Sequence, residues 1–249
     1  MITLSIVSPT HNCGKMLHRH LESVQKQTFR NIEHIVVDNL STDETEKLVL
    51  AYQKHADYPV VYIREKDFGI YQAMNKGIRK ASGKWVHILN SDNTYYSENV
   101  LQAVFNKNLN AYDLIACDVI LNKIKNGQEE SVYLKAQYHS KINAYGFPHQ
   151  GTIIRKVFYE KYGCYSERYK IVSDSIYSSL NYPKAKYLVP GLPLAILSDG
   201  GISGTMSWLN TKEALIALFF FHKYPLSYKL RSAAIYLRSY FISLFTQRH

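Results

Sequence analysis

Two hydrophobic periods alternate along the first 120 residues, and this alternation constrains the fold more than any other feature of the sequence. β-rich runs such as "ITLSIVSPT" and "IEHIVVDN" are each followed by a stretch with apolar residues at helical spacing. The strand–helix unit recurs at residues 2–27, 32–55, 60–82 and 84–108. Strands that alternate with helices predict an α/β fold with a mostly parallel sheet, right-handed crossovers and helices on both faces.

The second half of the chain has shorter and less regular elements. The runs "LIACDVIL" and "ESVYLKA" predict two strands around a turn at Asn126-Gly127, and "TIIRKVFYEKYG" predicts a strand and a helix that ends at Gly163. Ser173 is expected to cap a short helix, and the proline-interrupted "YLVPGLPLAIL" is expected at a sheet edge. We predict one α/β domain over residues 1–206, followed by a C-terminal helical appendage over residues 207–249.

The composition is globular and basic. Apolar residues make up 46% of the chain, and 30 basic against 20 acidic residues give a net charge of +10. That charge suits nucleic acid, an anionic membrane or a phosphate-bearing ligand, and the 21 tyrosines suit a membrane interface or a sugar site. Three distant cysteines predict reduced thiols in the cytoplasm, and "MITLSIVSPTHN" lacks the pattern of a signal peptide.

Polar or acidic residues end four of the predicted strands: Pro9-Thr10, Asp38-Asn39, Glu65 to Asp67, and Asn90 to Asn93. The carboxyl ends of parallel strands share one edge of the sheet, where open α/β folds bind ligands. Several carboxylates at one edge need a divalent cation or a hydroxyl-rich ligand, and hard oxygen ligands favour Mg²⁺ or Mn²⁺ held together with substrate phosphates. A nucleotide is therefore expected, although the chain has neither G-x-G-x-x-G after its first strand nor a P-loop.

Five segments in one order carry a resemblance to a known family: "SIVSPTHN", "HIVVDNLSTDET", "EKDFGIYQAMNKGIRKASGKWVHILNSDN", "PHQGTIIRKVFYEKYG" and "IVSDS". Together they resemble an inverting family 2 glycosyltransferase with the GT-A fold, a Rossmann-like α/β architecture, over roughly residues 2–205. The pieces around "GIYQAMNKGI" and "LNSD" are most similar to enzymes that build O-antigen, capsule or colanic-acid repeat units. The resemblance implies a nucleotide-binding half at about residues 1–120 and an acceptor half at about residues 121–206.

The resemblance assigns the donor site to the strand ends. Pro9, Thr10 and Asp38 would face the base and ribose of the nucleotide, with uridine the usual base. Asp67 would line the same pocket, and Lys76 would approach the diphosphate. On an amphipathic helix, however, a lysine such as Lys76 more often belongs to a solvated face.

The resemblance also assigns the metal and the base. Asn90 and Ser91 would contact the donor, and Asp92 would hold Mn²⁺ or Mg²⁺ where the family has its D-x-D motif. Asp174 falls at the position of the base that deprotonates the acceptor hydroxyl, although a first-turn acid can also merely favour a helix. Asn90 replaces the first acid of the motif and Asn93 follows Asp92, so metal dependence is expected to be weaker than in the family. Taken alone, "NSDN" also fits an ordinary loop.

Three further segments leave two readings open. His149 and Gln150 are either acceptor contacts or a structural pair, and "SDGGISG" (199–204 and the preceding Ser198) is either a mobile flap or an ordinary loop. The C-terminal segment has too few uninterrupted apolar residues to span a bilayer. It predicts a helix in the membrane interface, with Lys229, Arg231 and Arg238 on its polar side, or a helix packed on the domain or on a second copy. Its apolar face comprises Leu230, Ala234, Leu237, Phe241 and Leu244.

The resemblance implies an inverting glycosyltransferase, and the basic, aromatic C-terminal segment suits a place at the inner face of the bacterial cytoplasmic membrane. It would move a sugar from a UDP-sugar to a hydroxyl of a lipid-linked glycan, with a β-linkage formed from an α-linked donor. One rival is a catalytically silent sugar-nucleotide-binding subunit, which the thinned metal motif favours. A nucleic-acid-binding protein is disfavoured because the basic residues are dispersed and no nucleic-acid motif occurs. A nucleotidyltransferase is disfavoured because this chain lacks the glycine- and lysine-rich entry loop of such enzymes.

Overall fold

A computed structural model describes residues 1–125, 128–142, 144–199 and 207–246. The first half alternates as predicted: β1 (Leu4–Thr10), α1 (Gly14–Gln25), β2 (Ile32–Asp38), α2 (Thr45–His55), β3 (Val60–Arg64), α3 (Ile70–Lys80), β4 (Trp85–Ile88), β5 (Thr94–Tyr95) and α4 (Val100–Phe105). The elements that follow are β6 (Leu114–Ala116), β7 (Asp118–Lys125), β8 (Gln128–Leu134), β9 (Gln137–His139), β10 (Ala144–Gly146), β11 (Thr152–Arg155), α5 (Lys156–Tyr162), α6 (Ser173–Asn181), β12 (Tyr187–Leu188) and β13 (Pro193–Ser198). The chain then forms α7 (Trp208–Ile216), a π-helical turn (Ala217–Phe221) and α8 (Leu226–Thr246).

The larger sheet is mostly parallel and has the strand order β12-β6-β11-β4-β1-β2-β3. Strand β1 pairs in parallel with both β2 and β4, β2 pairs in parallel with β3, and β11 is antiparallel to β4 and β6. The register places Thr10 opposite Asp38 and Asp38 opposite Arg64. The carboxyl ends of β1, β2 and β3 therefore lie side by side at one edge, as the sequence predicts.

Helices cover both faces of this sheet. On one face, Leu17 and Leu21 of α1 pack in a core that includes Ile6 of β1 and residues of α2 and α4. On the other face, Val7 of β1 packs in a core that includes residues of α3, α5 and α6. Ile6 and Val7 reach opposite faces because successive side chains of a strand alternate. The predicted α/β layering is confirmed.

The close approach of α3 to β1 requires Gly77. A Cβ atom at this position would lie 2.1 Å from Cγ1 of Val7. No non-bonded carbon pair tolerates that separation, so a larger residue would push α3 away from the sheet. The helix that carries Lys76 and Tyr71 thus depends on Gly77 for its position.

The second half differs in detail from the sequence prediction. "LIACDVIL" is divided at Cys117, so that β6 joins the larger sheet while β7 joins a second sheet of order β5-β13-β7-β8. Strands β7 and β8 form the predicted antiparallel pair, and the turn at Asn126-Gly127 lies outside the described residues. The prediction of an edge holds for β12 but is wrong for β13, which lies between β5 and β7.

The helix that carries Asp174 begins one residue earlier than expected. Val172 occupies the N-cap position and Ser173 is the first helical residue, so the prediction that Ser173 caps the helix is wrong. Val172 and Ile176 instead pack against Ala217 of the π-helical turn. In the ranges that the structure describes, no helix is long and apolar enough to cross a membrane.

Candidate functional site

The ends of β1 and β4 are tied together by side chains that the sequence predicts at the donor site. The Ser91 hydroxyl donates to the carbonyl oxygen of Pro9 at 3.0 Å. The Cys13 sulfur lies 2.6 Å from Oγ1 of Thr10 and 3.1 Å from Oγ of Ser91. The structure therefore brings Pro9, Thr10 and Ser91 into one cluster, with Cys13 as a link that the sequence did not indicate.

Asp38 has no exposed surface, and both of its carboxylate oxygens are engaged. Oδ1 accepts from the backbone N–H and the hydroxyl of Ser41, and Oδ2 accepts from the hydroxyl of Tyr62 at 2.8 Å. Nε of Arg64 lies 3.6 Å from Oδ2. Burial, together with the neighbouring Asp38 carboxylate, raises the pKa of Tyr62, so this hydroxyl remains a donor. Asp38 thus fixes the strand ends through Ser41, Tyr62 and Arg64.

Asp67 and Lys76 form an ion pair in which Nζ lies 2.7 Å from Oδ1. The same ammonium lies 2.8 Å from Oε1 of Glu65 and donates to the carbonyl oxygen of Lys66 at 3.0 Å. Burial lowers the pKa of Lys76, but the two carboxylates outweigh it and the net shift is upward, so the lysine stays charged. The backbone N–H of Asp67 donates to Oδ1 of Asn39 at 2.7 Å, and among the described residues Oδ2 of Asp67 has no hydrogen-bond donor.

Residues Asn90 to Asn93 form a β-turn, because the N–H of Asn93 donates to the carbonyl oxygen of Asn90 at 3.0 Å. Oδ1 of Asn90 and Oδ1 of Asp92 are both buried, and neither has a hydrogen-bond partner in the ranges that the structure describes. Burial of the unpaired carboxylate raises the pKa of Asp92. The loop interpretation and the site interpretation of "NSDN" are thus compatible.

Two unpaired, buried oxygens in one turn fit a hard divalent cation. Mg²⁺ and Mn²⁺ prefer oxygen ligands, and a protein site with few such ligands is completed by water and substrate phosphates. Over the described part of the chain, no three His, Cys, Asp or Glu side chains form a metal-binding group. The unpaired oxygens of Asp92 and Asn90 are the atoms of this turn that could hold a cation.

The rest of the turn is held by residues from the second half of the chain. Oε1 of Gln150 accepts from the backbone N–H of Asn90 at 2.9 Å and from Nδ2 of Asn93 at 2.8 Å. The backbone N–H of Ser198 donates to Oδ1 of Asn93, and the Ser198 hydroxyl donates to the carbonyl oxygen of Asp92. Gln150 therefore has a structural role, and the neighbouring His149 contacts the Tyr165 hydroxyl at 2.9 Å. Residues 200–204 of the expected flap lie outside the described residues.

Asp174 lies in the first turn of α6 and is partly exposed. Its Oδ1 lies 2.8 Å from the Tyr71 hydroxyl and accepts from the backbone N–H of Ser175 at 2.9 Å. The Tyr71 hydroxyl also lies 2.7 Å from the carbonyl oxygen of Ile171. Burial lowers the pKa of His149, and the charge of Asp174 opposes this shift. No residue in the described ranges donates to Oδ2, which leaves that oxygen able to accept a proton.

The loop before α6 is anchored by two contacts that no local sequence signal revealed. Glu213 of α7 is buried, and its carboxylate accepts from the backbone N–H groups of Lys170 and Ile171. The Lys170 ammonium donates to the carbonyl oxygen of Phe68, which is 102 residues away along the chain. By contrast, Arg64 and Tyr71 lie in stretches already singled out, at the end of β3 and in "GIY" at the start of α3, although neither residue was itself predicted as a site residue.

Comparisons with known proteins identify the family and the fold. The family model for glycosyl transferase family 2 matches residues 5–177. The PGL/p-HBAD biosynthesis glycosyltransferase of Mycobacterium bovis (strain BCG / Pasteur 1173P2) is 26% identical over 213 residues, which is 85% of this chain and 82% of that protein. Glycosyltransferase GlyG of Streptococcus pneumoniae serotype 4 is 35% identical over 102 residues, 41% of this chain and 34% of that one.

Solved structures show the fold. S. aureus TarS 1-349 in complex with UDP-GlcNAc has a TM-score of 0.67 at 18% identity, covering 95% of this chain and 72% of that one. The mannosyltransferase PcManGT from Pyrobaculum calidifontis, in complex with GDP-Man and Mn²⁺, has a TM-score of 0.67 at 16% identity, covering 95% and 74%. The chain spans 43% of the longer S. aureus TarS chain. The predicted GT-A fold is confirmed.

Proposed function

Because the chain belongs to glycosyl transferase family 2, we propose that it is an inverting enzyme that moves a sugar from a UDP-sugar to a hydroxyl of a lipid-linked glycan in bacterial surface polysaccharide synthesis. The observation that carries this proposal is that α3 contacts both parts of the site. Lys76 pairs with Asp67 on the donor side, and Tyr71 contacts Asp174. These two residues are separated by about 7.5 Å along the helix axis.

Asp174 would act as the general base. One of its oxygens is oriented by Tyr71, and the other would take the proton of the acceptor hydroxyl. The hydroxyl oxygen then forms a bond to the anomeric carbon as the bond from that carbon to the diphosphate oxygen breaks. A single displacement inverts the configuration, so an α-linked donor gives a β-linked product and one carboxylate suffices.

Asp92 and Asn90 would hold Mn²⁺ or Mg²⁺ through their unpaired oxygens. A cation there would supply positive charge to stabilise the departing diphosphate. An amide carbonyl carries no net charge, and we therefore expect weaker cation binding than two carboxylates would give. Lys76 adds a positive charge near Asp67, which compensates one carboxylate of the donor side.

The donor side is assigned to the ends of β1, β2 and β3. Thr10, Asp38 and Arg64 lie in register there, and Asp67 is joined to the end of β2 through Asn39. A uridine nucleotide is supported by the structural similarity to TarS, which was solved with UDP and with UDP-GlcNAc. PcManGT, solved with GDP-Man, makes a guanosine nucleotide the alternative to be tested.

A lipid-linked acceptor is supported by the surface of α8. Leu226, Leu230 and Phe241 are 65%, 57% and 56% exposed, and Ile235 and Ile242 are also exposed. With 100° between successive helical residues, Leu226, Leu230 and Phe241 form one apolar stripe of α8, and Ile235 and Ile242 form a second. Arg231 and Arg238 lie between the two stripes. Of the predicted apolar face, Leu237 is half-buried, and the side chain of Leu244 lies outside the described residues.

Charge supports an anionic lipid surface as the partner of this helix. After Glu213 the sequence has no acidic residue up to its end at 249, whereas it has Lys223, Lys229, Arg231, Arg238 and Arg248. A basic helix with exposed apolar side chains binds the interface of an anionic bilayer by charge and by apolar contact. We therefore propose that the enzyme lies at the inner face of the cytoplasmic membrane. A second copy of the chain is the alternative partner of the exposed surface of α8.

Calorimetric titration with UDP, GDP and CMP, each with and without Mn²⁺, tests the donor and the metal together. We expect UDP to bind preferentially, Mn²⁺ to strengthen binding, and Asp92→Ala to remove the effect of Mn²⁺. Asp57→Ala is the matched control, because Asp57 is an exposed aspartate in a surface ion pair with Arg30. Binding of UDP that ignores Mn²⁺ and Asp92 would contradict the metal site, and absence of all nucleotide binding would contradict the donor assignment.

The replacement of an acid by Asn90 also supports a second candidate, a catalytically silent sugar-nucleotide-binding subunit. Such a protein would bind UDP, and Asp174→Asn would change nothing measurable. Transfer of radiolabelled sugar from UDP-sugars to a bacterial membrane lipid extract separates the two candidates. Transfer that is lost in Asp174→Asn supports the enzyme, whereas nucleotide binding without transfer supports the silent subunit.

A further inference from the structure

Two buried histidines lie next to the turn formed by residues 90–93, and neither was predicted to have a role. His20 of α1 and His87 of β4 both have no exposed surface. Nδ1 of His20 lies 2.7 Å from the carbonyl oxygen of Asn93. Nε2 of His87 lies 3.0 Å from the carbonyl oxygen of Gln150, the residue whose side chain holds the turn. His20 thus contacts the turn directly at Asn93, and His87 is connected to it through Gln150, which contacts Asn90.

The carbonyl of Asn93 determines the proton positions of His20. A carbonyl oxygen only accepts, so Nδ1 of His20 carries the hydrogen. Burial lowers the pKa of His20 to about 4, and the ring is neutral at pH 7. Its Nε2 is therefore an acceptor, and its partner at 2.8 Å, the Ser8 hydroxyl, is the donor. His20 is consequently the Nδ1–H tautomer.

A chain of hydrogen bonds continues from His20 through Ser8 and His34 to Tyr52 of α2 and Tyr58. The single hydrogen of Ser8 is used on His20, so Nε2 of His34 donates to Ser8 at 2.9 Å. Nδ1 of His34 then accepts from the Tyr52 hydroxyl at 2.8 Å, and Tyr52 accepts from the Tyr58 hydroxyl at 2.7 Å. His34 is the Nε2–H tautomer. Every hydrogen in this buried chain points toward the turn.

His87 has the opposite tautomer to His20. Its Nε2 faces the Gln150 carbonyl and is the donor, so its Nδ1 accepts from the Tyr95 hydroxyl at 2.9 Å. Burial lowers the pKa of His87 to about 4, so this ring is also neutral at pH 7. Donor and acceptor are thereby assigned on both nitrogens of each ring.

The hydrogen bonds of Asn93 explain why residue 93 is an asparagine. Its carbonyl accepts from His20, its Oδ1 accepts from the Ser198 N–H, and its Nδ2 donates to Oε1 of Gln150. An aspartate at this position would place an acceptor oxygen against the Gln150 oxygen. Asn93 is therefore a structural link, while Asn90 and Asp92 keep their free oxygens.

We propose that His20 and His87, in opposite tautomers, are positioning residues that hold the 90–93 turn so that the oxygens of Asn90 and Asp92 remain available to a ligand. Residues that orient the ligands of a metal affect affinity without touching the metal. What the turn binds rests on the proposed function, whereas how the turn is held does not.

The tautomers are tested directly by long-range ¹H–¹⁵N correlation spectra of uniformly ¹⁵N-labelled protein at pH 7. We expect one buried histidine in the Nδ1–H form, with His34 and His87 in the Nε2–H form. The Nδ1–H signals should disappear in His20→Gln, which assigns them. A neutral His20 in the Nε2–H form, or a protonated His20, would overturn the proposal whether or not the protein binds a nucleotide.

The consequence for the turn is tested by calorimetry with UDP and Mn²⁺. We expect His20→Phe to weaken Mn²⁺-dependent UDP binding by about 10-fold, because it removes the donor to Asn93. Tyr58→Phe is the matched control, since it removes one hydrogen bond at the far end of the same chain and leaves the turn untouched. His20→Gln, which keeps an N–H donor, should recover part of the loss. Equal effects of His20→Phe and Tyr58→Phe would show a merely structural role and overturn the proposal.

Discussion

The hydroxyl of Tyr71 lies 2.8 Å from Oδ1 of Asp174 and links helix α3 to the first turn of α6. Burial, with the Asp174 charge, raises the pKa of Tyr71, so the hydroxyl stays protonated, and its one hydrogen is shared between Asp174 and the carbonyl oxygen of Ile171. Because α3 also carries Lys76, the contact ties the proposed base to the donor side. We therefore expect substitutions of Tyr71 or Asp174 to lower the rate of sugar transfer while leaving the affinity for UDP nearly unchanged.

We expect Asp174→Asn to reduce sugar transfer by about 10²- to 10⁴-fold, the usual contribution of a general base. Tyr71→Phe should reduce transfer by about 10-fold, since it removes one hydrogen bond worth about 1 to 1.5 kcal/mol from the base. UDP affinity should stay within about 3-fold in both variants, because neither residue contacts the strand ends that carry the donor site. Rates with a membrane lipid extract, and calorimetry with UDP, measure the two quantities.

Tyr177→Phe is the control for loss of a tyrosine hydroxyl in the same region. Its hydroxyl is buried and has no hydrogen-bond partner in the described ranges. We expect its transfer rate to equal that of the wild type. A Tyr71→Phe variant that loses UDP affinity as strongly as transfer would show that the tyrosine supports the fold of the site rather than the base.

Asn90→Asp should make the turn dependent on a cation. A second carboxylate beside Asp92 repels it, and the unpaired buried charge should lower the free energy of unfolding by about 1–3 kcal/mol in EDTA. Mn²⁺ should reverse this loss and bind more tightly than to the wild type, because the number of charged ligands has increased. Thermal unfolding with EDTA or Mn²⁺ measures both effects. Asn110→Asp, on an exposed loop, should show neither, and an Asn90→Asp protein that ignores Mn²⁺ would contradict a cation at this turn.

Buried histidines should make the protein less stable in mild acid. Burial lowers the pKa of His20 and of His87 to about 4, and it lowers the pKa of His34 well below its usual value. In the unfolded chain these rings take up protons near pH 6.5, so between pH 6.5 and 4 the unfolded state binds more protons than the folded state. The free energy of unfolding therefore decreases as the pH is lowered through this range. At pH 5 each of the two rings with a pKa of about 4 should cost about 2 kcal/mol relative to pH 7.5.

Urea unfolding at pH 7.5 and pH 5 measures this loss. In His87→Gln the difference between the two pH values should shrink by about 2 kcal/mol, since one titrating ring is gone. His18→Gln removes an exposed ring and should leave the difference unchanged. Equal stability of the wild-type protein at the two pH values would contradict the buried, neutral state of these histidines.

Local periodicity was sufficient to predict the main strands and helices of the first half, because β1, β2 and β4 are buried on both faces and the helices between them have one apolar side. It could not predict partners in the second half. Cys117 divides one apolar run between two sheets, and β13 enters the second sheet between β5 and β7. Which strands pair is a tertiary property, and short apolar runs do not encode it.

The candidate site likewise has residues that could be predicted from the sequence and contacts that could not. Thr10 and Asp38 end β1 and β2, and Asp67 and Asp92 follow β3 and β4, so the sequence predicted all four at one edge. Several of the contacts that hold the site are remote in sequence: Glu213 lies 43 residues from Lys170, and His20 lies 73 residues from Asn93. Such contacts follow from packing of the whole domain, and no spacing in the sequence reports them. The residues that face the ligand were thus easier to predict than those that hold them.

The exposed face of α8 should bind anionic vesicles. In co-sedimentation, wild type should bind phosphatidylglycerol vesicles and not phosphatidylcholine vesicles, and Arg231→Gln with Arg238→Gln should weaken binding by about 30-fold, at about 1 kcal/mol per arginine. Leu230→Asp with Phe241→Asp should abolish it, because both side chains are exposed apolar contacts. Val157→Asp, also exposed, and Lys47→Gln with Lys54→Gln are matched controls that should bind normally. A dimer in analytical ultracentrifugation that dissociates in Phe241→Asp, without vesicle binding, would assign this face to a second copy.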